Sequence, residues 1–182
     1  MTDIFTTRRL ILKTLDASYT NEVLAFLSRN SEIFEPFDAA LPDNYYTFGY
    51  IHQLLDGEFK LARHGSYLRF WIFEKTNPDY IIGTVAFHNI RRGAYQSFEI
   101  GYKFDKEYHH KGYATEAITF LCHMAFNSMH FHRIEAMILP ENSASIRLLE
   151  RIGFTLEGVS PNSICIQGKW RDHLRYYLLN ES

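Results

Sequence analysis

The sequence has few cysteines, little net charge and no long apolar run. Its two cysteines, Cys122 and Cys165, lie in apolar surroundings, so we expect buried, reduced thiols rather than a disulfide. No segment approaches the roughly 18 apolar residues of a membrane helix. The first residues also lack the apolar core, about 7–15 residues long, of a secretory leader. These absences predict a cytoplasmic protein with no membrane partner.

The small net charge limits the partners further. The 182 residues carry 19 Lys and Arg against 21 Asp and Glu, a formal net charge of −2. A general electrostatic attraction to nucleic acid or to anionic lipid requires a clear excess of positive charge. We therefore expect no direct nucleic-acid partner, although the composition leaves a local basic patch open.

The chain does contain many apolar and aromatic side chains, with no break in composition. Apolar residues make up 46% of the sequence and aromatic residues 16%. This content is typical of a globular protein with a substantial core. Since no repeat, low-complexity tract or linker divides the chain, we predict one domain over residues 1–182.

Alternating and continuous apolar runs predict the strands. Early strands are predicted at Arg9–Leu15, Ser66–Lys75, Tyr80–Ile90 and Ser97–Phe104. The last three should form an antiparallel meander, with a turn at Thr76–Asp79 and another at Arg91–Gln96. Later strands are predicted at Arg133–Leu139 and Phe154–Ser160, followed by a hairpin, Ser163–Asn180, that turns at Gly168.

Helical periodicity predicts four helices. The first follows a cap at Asp16 or Ser18, the second runs from Tyr45 to about His64, and the clearest begins at Ala114. The fourth is capped by Asn142 or Ser143 and closed by Gly153. The segment between the first two, Asn30–Tyr46, contains two prolines and is expected to be an irregular loop. The order of elements predicts a mixed α/β sheet with helices on its faces.

A single glycine, Gly112, stands where the clearest helix begins, directly after "YHHK". The first N–H groups of a helix lack intrahelical acceptors and attract anions, and a glycine lets a phosphate approach the backbone closely. Taken alone, such a turn is more often an ordinary strand-to-helix connection. The sequence contains neither a GxxxxGK(S/T) nucleotide loop nor a GxGxxG dinucleotide turn.

Three stretches in order resemble a known family. "HHKGYATEA" after "FEIGYKF" resembles the acyl-coenzyme A pyrophosphate loop, (Q/R)xxGx(G/A), of the GNAT superfamily of N-acetyltransferases. "PENSASIRLLERIGF" is similar to the next motif of that superfamily, at the expected distance. "GKWRDHLRYYLL" resembles the branch that acetylates alanine or serine at the N-termini of ribosomal proteins. The resemblance extends from about Arg8 to Leu179.

The resemblance implies a GNAT-like fold and the position of its donor, acetyl-coenzyme A. The sheet would be mostly antiparallel with six to seven strands, and its two central strands, Ser97–Phe104 and Arg133–Leu139, would splay apart around the pantetheine arm. The pyrophosphate would lie on backbone N–H groups, and Asn142 would contact the arm, although helix capping alone also explains Asn142. The N–H groups are those of Lys111, Gly112, Tyr113, Ala114 and Thr115.

Two positions depart from the family's pattern. His109 stands where the family has Gln or Arg, and a histidine carries charge only near or below its pKa. Leu149 stands where many members have a tyrosine that protonates the departing thiolate. Ser145, one turn earlier on the same helix, is our candidate to replace that tyrosine.

The implied reaction is direct attack of an amine on a thioester, which requires the amine to lose a proton. Glu99 is the main candidate for the base, acting through a water, and burial on the substrate side would raise its pKa. Strand alternation cannot fix the face on which Glu99 lies, so an exposed glutamate is an equal alternative. Glu135 and His88 are weaker candidates. A backbone N–H near Met137 is a candidate donor to the oxyanion.

The histidines, the aromatic segments and the last hairpin give weaker predictions about function. The nine histidines do not have the spacing of a metal site, so we predict none. Aromatic residues in Phe34–Phe37 and Tyr45–Tyr50 are expected to form core and part of the acceptor wall. Trp170, Arg171 and Asp172 are expected either to close the other wall or to pack and form an ion pair.

We therefore predict an acetyl-coenzyme A-dependent N-acetyltransferase that acts in a ternary complex, without an acyl-enzyme. The expected acceptor is a protein N-terminal α-amine, such as that of a ribosomal protein. A small-molecule amine is the alternative acceptor, and a non-catalytic acyl-coenzyme A-binding module is the alternative from another class. A homo-oligomer is left open.

Overall fold

Eight strands form one sheet in the computed structural model, which describes residues 3–181. The strands are β1 (Ile4–Thr6), β2 (Leu10–Lys13), β3 (Leu68–Glu74), β4 (Asn77–Arg91), β5 (Ser97–Phe104), β6 (Arg133–Ile138), β7 (Thr155–Ile166) and β8 (Lys169–Leu179). Their spatial order is β1-β2-β3-β4-β5-β6-β8-β7. Neighbouring strands run antiparallel, except that β5 and β6 run parallel. The predicted mixed, mostly antiparallel sheet is confirmed.

Helices cover both faces of this sheet. They are α1 (Thr20–Arg29), α2 (Ser31–Phe34), α3 (Phe48–Arg63), α4 (Tyr113–Asn127) and α5 (Ser143–Ile152), with single 3₁₀ turns at Ala17–Tyr19, Glu35–Phe37 and Lys106–Tyr108. On one face, buried residues of α4 and α5 pack with Phe98, Ile100 and Phe104 of β5. On the other, α1 and α3 pack on Trp71 and Phe73 of β3. The sheet therefore separates two cores.

Several predicted boundaries were wrong. The sheet has eight strands rather than six or seven, since the short edge strand β1 was not predicted. The strands predicted at Phe154–Ser160 and from Ser163 are one continuous strand, β7. The supposed loop Asn30–Tyr46 contains α2 and the 3₁₀ turn at Glu35–Phe37, which has a proline at its start, a position that needs no N–H donor.

Two further boundaries differ for local reasons. Helix α3 begins at Phe48 rather than Tyr45, because the side chain of Thr47 caps it by accepting a hydrogen bond from the N–H of Tyr50. Strand β4 begins at Asn77, so most of the predicted Thr76–Asp79 turn belongs to the strand. Both differences move an end by a few residues and leave the element itself as predicted.

The cysteines differ in burial. Both thiols are free, and Cys122 is buried on α4, where desolvation raises its pKa to about 12. Cys165 on β7 is only half-buried, which corrects the expectation that both would be buried. Across residues 3–181, none of the helices is both long enough and apolar enough to cross a bilayer.

The two central strands separate after a short stretch of pairing. Strands β5 and β6 pair at Ser97 with Arg133, Phe98 with Ile134 and Glu99 with Glu135. Beyond Glu99, β5 continues to Phe104 beside β4, and β6 continues to Ile138 beside β8. Because neither strand has the other as a partner there, a gap opens between them. The predicted splay is confirmed.

A buried carboxylate fixes the chain where β5 ends. The side chain of Asp105 is 2% exposed and accepts a 2.6 Å hydrogen bond from Nε of Arg29 on α1. It also accepts bonds from the side chain of Asn30 and from the N–H of Glu107. Burial alone would raise the pKa of Asp105, but these bonds outweigh it and hold the pKa below the ordinary value.

We expect Asp105→Asn to lower the free energy of unfolding by about 2–4 kcal/mol at neutral pH, because it leaves Arg29 half-buried without its anion. Since the folded-state pKa is lowered, the carboxylate stabilises the fold above its ordinary pKa, and this contribution is lost as pH falls through the lowered value. The difference between wild type and variant in urea unfolding should therefore shrink as pH falls below the ordinary aspartate pKa of 3.8.

Asp56→Asn is the matched control, because Asp56 forms an exposed ion pair with Lys60 along α3. It should change the free energy of unfolding by less than about 0.5 kcal/mol. An Asp105→Asn deficit that stays constant as pH falls would contradict the role of the ionised carboxylate.

Candidate active site

A cleft of about 740 Å³ occupies the gap between β5 and β6. Its floor is the final part of β5, from Ile100 to Phe104, and its opposite wall includes Met137 on β6. The turn before α4, the first turn of α5 and the segment from α2 to Asp38 also line it. The cleft therefore connects three separate elements of the fold.

The turn at Gly112 has the geometry of an anion site. Gly112 is the N-cap of α4 with a φ of 80°, a left-handed conformation that favours glycine. The first intrahelical bond of α4 runs from the N–H of Glu116 to the carbonyl of Gly112. The N–H groups of Tyr113, Ala114 and Thr115 consequently lie outside the helical ladder, and these three residues line the cleft.

Arg9, which lies between β1 and β2, holds this turn through its side chain. Arg9 donates a 3.0 Å hydrogen bond from Nη1 to the carbonyl of Lys111. Its Nε pairs with Oε2 of Glu116 at 2.7 Å, and Thr7 donates to the other oxygen of the same carboxylate. The positive charge of Arg9 thus offsets the negative charge of Glu116, which would otherwise repel an anion from the helix N-terminus. Sequence reasoning missed Arg9, since 102 positions separate it from Lys111.

The two cationic candidates in the turn are placed differently. His109 lines the cleft, and its Nε2 lies 2.9 Å from the carbonyl oxygen of Phe104, so Nε2 carries the proton. Lys111 is not among the cleft-lining residues; its ammonium lies 5.1 Å from the ring centroid of Tyr108. The structure therefore brings His109 to the cleft and directs the side chain of Lys111 elsewhere.

The first turn of α5 brings the other predicted residues to the cleft. Asn142 caps the helix by accepting a 3.1 Å bond from the N–H of Ser145, which leaves its amide nitrogen free of the cap. Ser145 is half-buried, and both residues line the cleft. Leu149 is fully buried in the core, 0% exposed. A polar group is therefore absent at this point of the helix, and the apolar side chain fills the space.

The structure resolves which face of the sheet Glu99 occupies. Phe98 and Ile100 belong to the core under α4, so Glu99 faces the opposite side, which carries α1 and α3. It is half-buried and is not among the residues that line the cleft. Its Oε2 lies 3.9 Å from Nδ1 of His88 on β4, and burial lowers the pKa of His88.

The weaker candidate base, Glu135, is ion-paired with two arginines. It is 7% exposed and paired both with Arg91 and, at 2.9 Å, with Nε of Arg133. Both carboxylate oxygens of Glu135 are therefore engaged by guanidinium groups. Glu99 lies directly across from Glu135 in the parallel register and lacks such partners within residues 3–181. Of the two neighbouring carboxylates, Glu99 is the one without an arginine partner.

Residues from α2 to Asp38 and a residue of β8, far apart in the sequence, together form another part of the cleft wall. Phe34, Phe37 and Asp38 contribute from one side, and His173 on β8 contributes from the other. Asp38 pairs with Lys103, and Gln167 at the β7–β8 turn donates hydrogen bonds to the carbonyls of Glu35, at 2.9 Å, and Asp38, at 3.3 Å. Sequence reasoning missed Asp38, Lys103 and Gln167.

The other expected wall residues have mixed positions. Tyr45, Tyr46 and Tyr50 pack against the α1–α3 core, whereas Trp170 is 65% exposed at the hairpin. Arg171 pairs with Glu141 at 2.6 Å, and Asp172 accepts from the N–H of Asn162. Packing and pairing therefore account for most of this set. Within residues 3–181, no group of three or more His, Cys, Asp or Glu side chains is placed to hold a metal ion.

Comparison with known proteins places this geometry in a family. Residues 9–155 match the family described as Acetyltransferase (GNAT) domain. Probable N-acetyltransferase YjcK of Bacillus subtilis (strain 168) is 36% identical over 174 residues, which is 95% of each chain. The ribosomal protein uS5-alanine N-acetyltransferase of Escherichia coli (strain K12) is 29% identical over 171 residues, 93% of this chain and 87% of that enzyme.

A solved structure extends the likeness to the donor. RimJ of Mycobacterium smegmatis, in complex with CoA-disulfide, matches with a TM-score of 0.90 at 25% identity, over 100% of this chain and 88% of RimJ. The N–H groups at the start of α4, which line the cleft and lack intrahelical acceptors, suit a donor that carries a pyrophosphate. Acetyl-coenzyme A is therefore the acyl donor. The chain belongs to the GNAT family of acetyl-coenzyme A-dependent N-acetyltransferases.

Proposed function

We propose that this enzyme acetylates the α-amine at the N-terminus of a protein. The observation that carries the proposal is the similarity, over 93% of the chain, to an enzyme named for acetylating alanine in ribosomal protein uS5. Phe37 adds support, because it lines the cleft, is 41% exposed, and an exposed apolar side chain there is suited to contact an extended peptide.

The chemistry of an α-amine also suits the groups present. An α-amine has a pKa of about 7.7–8.0, so roughly a tenth of it is already neutral at pH 7, against well under a thousandth of a lysine side chain. Such an amine needs less help from a base than a lysine does, and the half-buried carboxylate of Glu99 is a candidate to give it.

We assign the residue roles as follows. The N–H groups of Tyr113, Ala114 and Thr115, with Gly112, hold the pyrophosphate, and Asn142 and the backbone near Met137 contact the arm and the carbonyl. His109 adds a positive charge beside the pyrophosphate only when its Nδ1 is also protonated. The amine nitrogen attacks the thioester carbon, a C–N bond forms and the C–S bond breaks with its electron pair on sulfur. Glu99 takes the proton from the amine through a water.

We expect Gly112→Asp to weaken acetyl-coenzyme A binding by about 100-fold or more, because the new carboxylate would lie beside the pyrophosphate. Gly112→Asn is the matched control, since asparagine has the same shape without charge and tolerates the left-handed conformation. A Cβ at this position would lie 3.4 Å from Nη2 of Arg9, an ordinary contact.

The affinities of wild type and both variants for acetyl-coenzyme A are measured by calorimetric titration. Gly112→Asn should bind far better than Gly112→Asp. Equal binding by the two variants would show that the pyrophosphate lies elsewhere.

We expect Glu99→Gln to lower kcat/KM for the amine by about 100-fold at neutral pH. The deficit should shrink as pH rises through the pKa of the amine, because the free base then forms without help. The KM for acetyl-coenzyme A should stay close to the wild-type value, since Glu99 does not line the cleft.

Glu157→Gln is the control for this variant, because Glu157 is an exposed carboxylate on β7 paired with Arg133. It should leave the pH profile unchanged. A Glu99→Gln deficit that is the same at every pH would point to a structural role rather than proton transfer.

The acceptor class is tested with a panel of amines at fixed acetyl-coenzyme A. We expect peptides with a free N-terminal alanine or serine to exceed polyamines and other small amines in kcat/KM by at least about tenfold. The same peptides with a blocked N-terminus and an internal lysine should not react. Preference for a small amine would reject the protein N-terminus and favour the alternative acceptor.

A further inference from the structure

The sulfur that leaves during acetyl transfer needs a hydrogen-bond donor. A thiol has a pKa of about 8.5, so its anion is a better leaving group when a donor stabilises the developing charge. Leu149 offers none, and Ser145 is a weak acid. On the roles proposed above, the sulfur would lie between the turn at Gly112 and the point near Glu99 where the strands diverge.

The phenol of Tyr102 lies between these limits. Tyr102 is on β5, three residues beyond Glu99, and its ring is directed to the α4–α5 side of the sheet. It is half-buried and lines the cleft. Its hydroxyl donates to the carbonyl of Ser145 across the cleft at 3.4 Å, which is at the long limit of a hydrogen bond. A hydroxyl held this loosely is available to a better acceptor.

Burial keeps this hydroxyl protonated. Desolvation raises the pKa of Tyr102 to about 12, although the contact with Ser145 opposes the rise. The group is therefore a proton donor throughout the neutral range, and a phenol is far more acidic than the serine hydroxyl beside it. Its acidity matches a thiolate acceptor more closely than any aliphatic hydroxyl does.

Several other donors in the cleft are already hydrogen-bonded or ion-paired. His109 donates to the carbonyl of Phe104, and Lys103 is paired with Asp38. Tyr108 and Tyr113 belong to the pyrophosphate end, where Tyr113 donates to Glu74. Among the cleft-lining residues that the structure describes, Tyr102 is the acidic hydroxyl that reaches the first turn of α5.

We propose that Tyr102 is a catalytic residue whose hydroxyl donates to the coenzyme A sulfur as the C–S bond breaks. The electron pair of that bond stays on sulfur, and the phenol O–H stabilises the developing thiolate by hydrogen bonding. The thiolate then takes a proton from solvent to give free coenzyme A thiol, and the phenol keeps its own proton. This role deepens the proposed function, since it rests on the assigned donor position, but it does not depend on which amine is the acceptor.

The first test is Tyr102→Phe, which removes one oxygen and keeps the ring. Measured with the amine that the wild type acetylates best, kcat should fall about 100-fold. The KM for acetyl-coenzyme A should change by less than about twofold, because the lost bond forms mainly in the transition state. An unchanged urea midpoint checks that the fold is intact.

Tyr176→Phe is the matched control. Tyr176 is a buried tyrosine on β8 whose hydroxyl donates to Glu150 at 3.3 Å, and it does not line the cleft. Its variant should retain wild-type kcat. A Ser145→Ala variant, alone and combined with Tyr102→Phe, measures the serine separately: a small loss alone and a larger one in the double variant would assign the main donor to Tyr102.

A second test separates proton donation from packing. Replacement of Tyr102 by 3-fluorotyrosine and 3,5-difluorotyrosine lowers the pKa of the phenol stepwise with little change in shape. Activity should then decline at alkaline pH, and the decline should move to lower pH with each fluorine. A kcat within twofold of wild type for Tyr102→Phe, or an alkaline limb unmoved by fluorination, would overturn the proposal. Loss of peptide preference alone would reject only the proposed acceptor.

Discussion

The parting of β5 and β6 is the constraint on which the rest of the structure depends. Two parallel strands that stayed paired would bury their backbone groups in the sheet and leave no space for a ligand. Here the pairing stops after Glu99 and Glu135, while each strand remains paired on its other side. Hydrogen bonds to β4 and β8 therefore hold β5 and β6 in the sheet where the gap separates them.

The alternation of a strand gives this gap two chemically different sides. Glu99 faces α1 and α3, whereas Tyr102 faces α4 and α5. A carboxylate and a phenol consequently lie on opposite faces of one strand, three residues apart. The neighbouring ion pairs of Glu135 and Asp38 keep other charges occupied. The backbone of β5 therefore keeps the carboxylate of Glu99 apart from the hydroxyl of Tyr102.

Local patterns predicted what local forces determine. The periodicity of α4, the cap at Asn142 and the glycine at position 112 were each visible in a few residues, and the structure has them. The missed features depend on distant partners: Arg9 behind the turn, Arg29 against Asp105, and Gln167 at Glu35. The face of Glu99 also required the fold, because a strand pattern does not say which side is covered. Edge strand β1 is too short to leave a periodic signal.

The contacts of Arg9 and Asp105 have a consequence for how the donor acts on the whole molecule. Arg9 holds the turn before α4 from 102 positions away in the chain, and Arg29 holds Asp105, at the end of β5, from 76 positions away. A segment excised around Gly112 would lose both contacts. Ligand affinity is thereby coupled to global folding: occupancy by the donor stabilises the entire domain, and proteolytic resistance should report on donor concentration.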